Sequence, residues 1–138
     1  MSKSSKFEYS QLQSGDEFPV VSYKVDPLIV ANYLKAVEET SDLYYNRGQV
    51  PPTAIAAYAM KTLSESFAVP PGTVHISQQL EFMGALKMGE TIICQAKVSR
   101  KQERGGFRFL TVDLSVFDQN RKRVMVGRTS FVLPEPKV

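Results

Sequence analysis

The sequence is poor in the residues on which several kinds of site depend. Its 138 residues include one cysteine, Cys94, and one histidine, His75. A single cysteine excludes an internal disulfide, which fits a reducing compartment. Cys94 follows two isoleucines, and this apolar setting predicts a buried and unreactive thiol. The zinc patterns C-x-x-C and H-E-x-x-H are absent, so we expect no metal or other bound cofactor.

Long apolar runs and a strong charge of either sign are also missing. No apolar run approaches the roughly 18 residues of a membrane span, and residues 1–18 contain no apolar h-region of the kind found in signal peptides. We therefore expect a cytoplasmic protein that does not bind membranes. The net charge of +3 is too mild for a nucleic-acid-binding surface, although it favours an anionic ligand. Nucleotide-binding glycine motifs and the serine-hydrolase G-x-S-x-G motif do not occur.

One stretch, from Val50 to Phe67, predicts a central helix. It reads VPPTAIAAYAMKTLSESF, and it carries no charged side chain between Thr53 and Met60. A helix that is apolar on every side is a buried helix. Pro52 suits the first helical turn because the N–H that it lacks would have no partner there. We predict a buried helix over residues 52–67, ended by the Pro70-Pro71-Gly72 turn.

Four strands are predicted after this helix, from alternating apolar residues and intervening turns. They cover Val74–Phe82, Thr91–Arg100, Phe107–Phe117 and Arg123–Leu133. Consecutive hairpins predict an antiparallel sheet. In the first strand, alternation predicts one apolar face (Val74, Ile76, Leu80, Phe82) and one polar face (His75, Ser77, Gln79, Glu81).

Shorter elements are predicted before the central helix. Residues 17–25 predict a strand that Pro19 restricts to an edge of the sheet. Asp26 and Pro27 are typical of a helix start. The spacing of Ile29, Tyr33, Ala36 and Val37 predicts the buried stripe of that helix. We expect residues 1–12 to be disordered and residues 1–138 to form one domain.

Together these elements predict an α+β fold of the hot-dog type, in which about five antiparallel strands wrap around the central helix. Three stretches resemble the MaoC-like hydratase and dehydratase superfamily, in particular the N-terminal half of double hot-dog dehydratases. They are LKAVEETSD at 34–42, VPPT at 50–53, and HISQQLEF at 75–82 followed by LKMGETI at 86–92. The third resembles the family segment H-x-x-Q-x-x-x-(F/Y)…G-(D/E)-x-(I/L). The resemblance extends from Gly15 to Leu133.

The resemblance implies an enoyl-thioester hydratase or 3-hydroxyacyl dehydratase. Active members carry D-x-N-P-x-H, whose aspartate and histidine activate water. Asp42 matches the aspartate, whereas Asn46 and Arg47 stand where the histidine is expected. The dyad is incomplete, so the chain is predicted to be a partner subunit or to use His75 instead. Tyr44 and Tyr45 are the only tyrosines local to Asp42, so they are candidate partners of Asp42 and candidate substrate-binding residues.

Further candidates follow from what the chemistry requires. A thioester carbonyl needs hydrogen-bond donors, and the first-turn amides of the central helix, at Thr53 and Ala54, are candidates. His75 is a candidate base, with Gln79 predicted on its face of the strand. Two basic clusters are candidates for phosphates of coenzyme A or of a carrier protein: Arg100, Lys101 and Arg104 at one hairpin, and Arg121, Lys122 and Arg123 at the next.

Three functions on this fold remain open at this point. The first is an acyl-thioester-binding hydratase or dehydratase, alone or as a partner subunit. The second is an acyl-CoA thioesterase, which needs a carboxylate beside the central helix, where Glu65 is the only acid. The third is a non-catalytic module that binds an acyl ligand. Because a lone hot-dog domain leaves an open sheet edge, we expect a homodimer, a heterodimer with a second hot-dog subunit, or a higher oligomer.

Overall fold

A computed structural model describes residues 6–38 and 47–135. The helices are a short 3₁₀ turn at Tyr9–Gln11, α1 at Pro27–Ala36 and α2 at Pro52–Ser66. The strands are β1 at Val21–Lys24, β2 at Val74–Phe82, β3 at Thr91–Arg104, β4 at Phe107–Phe117 and β5 at Arg123–Leu133. These elements confirm the predicted α+β class and the predicted central helix. The observed strand β1, with four residues, is much shorter than the strand predicted over residues 17–25.

The five strands form one antiparallel sheet in the order β1-β3-β4-β5-β2. Its inner face curls around α2, which is the hot-dog arrangement. Alternate residues of β3 and β4 are buried against α2, as their sequence pattern predicts (Ile92, Cys94, Ala96, Val98; Leu110, Val112, Leu114, Val116). Ile55, Ala59 and Leu63 of α2 complete this core. The helix makes its main sheet contacts with β3 and β4.

Helix α1 begins as predicted but buries a different stripe. The Asp26 carboxylate accepts a hydrogen bond from the Leu28 amide at 2.8 Å, which caps the helix. Val30 and Leu34 are buried, whereas Ile29 and Val37 are more than half exposed and Ala36 is exposed. The predicted stripe is therefore wrong. The sequence of α1 is apolar on more than one side. Periodicity alone therefore allowed two buried stripes, one starting at Ile29 and one starting at the next residue, Val30.

The prediction that α2 is buried on every side is also wrong. Thr53, Ala57 and Lys61, which are spaced four residues apart, are exposed along one side. The methyl group of Ala57 makes that side look buried in a hydropathy pattern, although an alanine at a surface costs little. This exposed side leaves α2 accessible beside α1.

Strand β2 has the predicted bounds, but its faces differ from the prediction. A bulge between His75 and Ser77 shifts the register against β5, so that His75 lies opposite Phe131 and Gln78 lies opposite Thr129. Directly paired residues of antiparallel strands lie on the same side. His75 therefore shares the inner face with Gln78, and Gln79 lies on the outer face. The extra residue of a bulge reverses the alternation, which a period-2 pattern does not detect.

The N-terminal segment is packed from residue 7 onward, unlike the disorder expected for residues 1–12. Tyr9 and Leu12 are buried in the core. Phe7 forms a parallel bridge with Phe67, just beyond the C-terminal end of α2. The Phe7 amide donates to the Ser66 carbonyl at 2.7 Å, and the Ala68 amide donates to the Phe7 carbonyl at 2.8 Å. These contacts hold the segment against one end of the helix.

Candidate functional site

The two ends of α2 lie at opposite ends of the sheet. At its N-terminal end, the Val50 amide donates to the Leu86 carbonyl at 2.8 Å, near the start of β3. The start of β3 in turn meets the β4–β5 hairpin, because the Thr91 amide donates to the Gln119 side chain at 3.2 Å. The C-terminal end meets Phe7, and Phe67 just beyond it packs on Phe131, which pairs with His75 near the start of β2. With 15 residues, α2 separates these two ends by about 22 Å.

The structure bears on the two candidate donors in the first turn of α2, Thr53 and Ala54. The Ala54 amide donates to the Pro51 carbonyl at 3.0 Å, and the Ile55 amide is 3.3 Å from the same oxygen. Ala54 itself is buried. The prediction that its amide would be available to a thioester is therefore wrong, because Pro51 closes a tight turn that uses it. Thr53 stays a candidate, and it is exposed at the open end of the helix.

An apolar cavity lies between α1 and the exposed side of α2. Its volume is about 190 Å³, and it is lined by Ile29, Val30, Ala54, Ala57, Tyr58 and Lys61. Lys61 is the one charged residue of this lining. An aliphatic chain would lose contact with water there. The Lys61 ammonium group lies over the Tyr23 ring, 5.4 Å from its centroid. The four-residue spacing of Ala54 with Tyr58 and of Ala57 with Lys61 is the sequence signal for this lining.

Tyr58 and Thr62 of α2 lie close to Tyr23 of β1. The Tyr58 ring packs on Tyr23 with centroids 5.2 Å apart. The Thr62 hydroxyl donates to the Tyr58 carbonyl at 3.1 Å and lies 3.3 Å from the Tyr23 hydroxyl. Burial raises the pKa of both tyrosines, and it raises the pKa of Cys94 to about 11. The predicted buried position of Cys94 is confirmed, and a thiol with this pKa is neutral at physiological pH.

His75 lies at the end of the fold opposite to Thr53. Its Nε2 is 2.6 Å from the hydroxyl of the buried Thr129, and its ring stacks on Phe131 with centroids 5.0 Å apart. Phe131 also packs on Phe67, which follows the last residue of α2. Within one chain, a thioester carbonyl near Thr53 is therefore out of reach of His75. The predicted pairing of His75 with Gln79 is wrong, because the bulge places them on opposite faces.

Gln79 and Arg123 come together on the outer face of the sheet. Both line a shallow groove of about 430 Å³, which also contains Asp113 and Arg128. The Arg128 guanidinium donates to the Asp113 carboxylate at 2.8 Å, and both side chains are well exposed. This groove lies on the side of the sheet opposite to α2. Gln79 and Arg123 therefore do not share a site with Thr53.

Arg100 is also on the outer face, but far from Arg123. Arg100 pairs with Thr111 of β4, whereas Arg123 pairs with Phe117 of the same strand. Six residues of β4 separate these partners, which corresponds to about 20 Å. The two arginines cannot hold the same phosphate. The remaining candidates, Asp42, Tyr44 and Tyr45, lie outside the described residues.

The described residues lack two further features. They contain no group of three or more His, Cys, Asp or Glu residues that could hold a metal ion. In the same part of the chain, no helix is both long enough and apolar enough to cross a membrane.

Comparison with known proteins gives a family and a fold. Residues 13–126 match the family model of the FAS1-like dehydratase domain region. No curated protein sequence matches the chain. Among solved structures, the unliganded R-hydratase PhaJ1 from Pseudomonas aeruginosa is 17% identical with a TM-score of 0.78, over 94% of this chain and 87% of that one.

Two other solved structures are similar. The (R)-hydratase from A. caviae, involved in PHA biosynthesis, is 18% identical with a TM-score of 0.75, over 89% of this chain and 98% of that one. The C-terminally truncated HadBC complex from Mycobacterium tuberculosis, a 3R-hydroxyacyl-ACP dehydratase, is 17% identical. Its TM-score is 0.64, over 86% of this chain and 96% of that one. At these identities the likeness concerns the fold.

Proposed function

We propose a function from the family of the FAS1-like dehydratase domain region, to which the chain belongs. The chain binds acyl thioesters and takes part in the hydration of enoyl thioesters or in the reverse reaction, the dehydration of 3-hydroxyacyl thioesters. The acyl group would be carried by coenzyme A or by an acyl carrier protein. This extends the family membership to a substrate class.

The observation that carries the proposal is the apolar cavity beside residues 54–61 of α2. Ile29, Ala57 and Tyr58 offer an acyl chain a lining from two helices. Lys61 would attract the negative charge that both kinds of carrier bring. The carbonyl of the thioester would then lie toward Thr53, at the positive end of the helix dipole.

The positions of the candidate acids and bases favour a role as partner subunit. The candidate base within the described residues, His75, is at the far end of α2 and is hydrogen-bonded to Thr129. General base catalysis requires direct contact, or contact through one water, with the proton that is removed. We therefore assign the base to Asp42 or to a second subunit, with His75 able to act only at the site of a neighbour.

The edge formed by β2 is the surface that we assign to the second hot-dog subunit. The strand is long and partly apolar, and yet all nine residues of Val74–Phe82 are exposed to solvent in the single chain. Ile76 is half exposed and Met83, next to the strand, is nearly so. An open edge of this length is a template for pairing with another strand. One similar structure, HadBC, is itself a complex.

The thioesterase alternative is weaker on this geometry. It needs a carboxylate that activates water beside the bound thioester, and the only acid of α2, Glu65, is exposed at its last turn. Asp42 could still take that role. A non-catalytic module that binds acyl ligands is the result that would follow from binding without any turnover.

The test is a spectrophotometric hydration assay with crotonyl-CoA and a longer enoyl-CoA. The wild type, Asp42→Asn and His75→Ala are assayed alone and after mixing with a hot-dog partner encoded nearby. We expect little turnover alone and substantial turnover in the mixture. Loss of activity in one variant identifies that residue as part of the chemistry. Inertness toward every enoyl thioester, alone and mixed, would contradict the hydratase and dehydratase assignment.

The proposed edge is tested separately by light scattering after size-exclusion chromatography. Ile76→Lys places a charge on the exposed edge strand, and we expect it to shift the protein toward a smaller species. Val20→Lys is the matched control, because Val20 is equally exposed but precedes β1 at the opposite edge of the sheet. An unchanged mass for Ile76→Lys would place the subunit interface elsewhere.

A further inference from the structure

A second groove lies on the outer face, beside the hairpin that joins β4 and β5. Val20, Ile93 and Phe117 supply its apolar surface, and Ser22, Gln95 and Arg121 complete the lining. Its volume of about 390 Å³ falls within the roughly 300–1,000 Å³ that is usual for small-molecule sites. An exposed groove with an aromatic ring and a guanidinium side by side suits a ligand that is both planar and anionic.

The cations of this hairpin are not engaged by acids. Asp118, the acid of the hairpin, accepts hydrogen bonds from the Asn120 and Lys122 amides, each at 2.9 Å. Arg123 lies over the Phe117 ring, with its guanidinium carbon 5.4 Å from the centroid. Within the described residues, the one ion pair joins Arg128 to Asp113. The acid at the groove, Glu17, accepts a hydrogen bond from Gln95 at 3.1 Å.

Arg121 is held in a backbone conformation that arginine rarely adopts. Its φ is +64°, in the left-handed region that glycine and asparagine prefer. The Arg121 amide donates to the Asp118 carbonyl at 2.9 Å, which fixes the turn. Glycine would satisfy this backbone at lower cost, so the turn itself does not explain an arginine. Strained residues of this kind concentrate at binding and catalytic sites.

The groove is at the same end of the molecule as the start of α2. Gln119 of the hairpin accepts a hydrogen bond from Thr91, at the start of β3, and α2 begins next to Leu86. A carrier bound at the hairpin would therefore have its phosphates at the end of the fold where the thioester is proposed to lie. The linker would pass around the edge of the sheet to reach α2.

From these features we infer that the groove lined by Phe117 and Arg121 binds the phosphorylated adenosine end of coenzyme A, with Arg121 contacting its phosphates. This rests on the proposed function, since it identifies the carrier of the acyl group. A flat basic patch would be sufficient for an acidic carrier protein. The aromatic and aliphatic floor instead favours a planar base that can stack beside its phosphates.

The test measures binding of unacylated coenzyme A, and of adenosine 3′,5′-bisphosphate, by isothermal titration calorimetry. Neither probe requires turnover, an acyl group or a partner subunit. Arg121→Gly removes the guanidinium while relaxing the backbone, so the hairpin is expected to stay folded, which a thermal melt checks. We expect it to weaken binding of both probes about tenfold. Arg104→Gly removes the same charge at the other hairpin and should leave binding unchanged.

Four results would overturn this inference. They are undetectable binding of both probes to the wild type, unchanged binding in Arg121→Gly, equal losses in Arg121→Gly and Arg104→Gly, and a loss in Arg121→Gly that is seen only when holo acyl carrier protein is titrated in place of the two probes. Hydration of enoyl thioesters by the same preparations distinguishes the two proposals. Turnover that persists with any of these four results would leave the proposed function standing and refute only this location for the carrier.

Discussion

The basic residues near the two ends of α2 make different contacts. At the C-terminal end, the Tyr9 ring lies between two cations, with Lys101 Nζ 4.4 Å and Arg108 Cζ 4.9 Å from its centroid. Lys101 also donates to the Leu12 carbonyl at 2.8 Å, and Arg108 Nε donates to the Pro134 carbonyl at 3.0 Å. At the N-terminal end, Arg121 borders an open groove, and Arg123 lies over the Phe117 ring beside it. The first end is closed by internal contacts, and the second is available to a ligand.

This contrast shows that a count of charges does not identify a binding site. Both hairpins carry several basic residues, and by sequence either one is a candidate for phosphates. At the closed end, the N-terminal segment supplies the Tyr9 ring and the Leu12 carbonyl, and Pro134 after β5 supplies a second carbonyl; Lys101 and Arg108 bind these groups. The open end has acids, but Asp118 and Asp26 bind backbone amides there instead. The cations near them are left for an external anion.

The largest expected effect is at the closed end. Tyr9→Ala removes a buried ring together with both cation contacts, so we expect a loss of about 3–5 kcal/mol in the free energy of unfolding. Urea unfolding followed by circular dichroism measures it. Tyr9→Phe keeps the ring and loses the hydroxyl that lies 3.2 Å from the Gln102 carbonyl, and should cost about 1 kcal/mol. Equal losses in the two variants would show that the ring contacts matter little.

A matched pair of arginine variants compares the two ends directly. Arg108→Ala removes hydrogen bonds from a charged group to the Pro134 carbonyl, and we expect a loss of about 1–2 kcal/mol in unfolding free energy. Arg123→Ala should change it by less than about 0.5 kcal/mol. The same urea unfolding experiment measures both. If Arg123→Ala were the more destabilising, the open end would be held together by its cations, contrary to this comparison.

Alkaline pH should weaken the closed end. Burial, followed by the nearby Glu103, raises the pKa of Tyr9 above its usual 10.0. The unfolded chain then releases the proton at lower pH than the folded chain, so stability falls as pH rises from about 10. Tyr9→Phe should make that fall shallower, as seen in urea midpoints measured at several alkaline pH values. Identical pH slopes would contradict the assignment to Tyr9. Tyr23, Tyr58 and Cys94 act in the same direction and leave a residual slope.

The smallest effect is at the open end and has the opposite sign. Arg121→Gly relieves the left-handed backbone but increases the entropy of the unfolded chain, for a net gain of about 0.5 kcal/mol. A rise of a few degrees or less in the melting temperature is the expected readout. A clear drop in melting temperature would show that the Arg121 side chain stabilises the fold, and would weaken its assignment to ligand binding.

Most of the sheet and the central helix could be predicted from the sequence. β3 and β4 alternate between buried and exposed residues against a single helix, so the period-2 pattern has one interpretation. Asp26 caps the start of α1, and Pro52 at the first helical position marks the start of α2. Two errors arose where the pattern was ambiguous or interrupted. Helix α1 offers two apolar faces, and the β2 bulge moves His75 to the other face, so its predicted partner Gln79 lies across the sheet.

The candidate site was harder to predict because it depends on contacts between distant segments. The cavity beside α2 needs Ile29 and Val30 from α1 next to Ala57 and Tyr58, and sequence spacing does not bring two helices together. The difference between Lys101 and Arg121 is likewise set by whether Tyr9 packs nearby. In the short N-terminal segment, the signs of this role were Phe7, Tyr9 and Leu12 in an otherwise polar stretch.

The most direct test of the account is calorimetric titration with a non-hydrolysable thioether analogue of crotonyl-CoA, of the chain alone and mixed with a hot-dog partner. The analogue separates thioester recognition from turnover, so an inactive subunit can still be tested. We predict saturable binding that is tighter for the analogue than for unacylated coenzyme A, because the acyl group adds apolar contacts in the cavity beside α2. Undetectable binding of the analogue, alone and mixed, would contradict it.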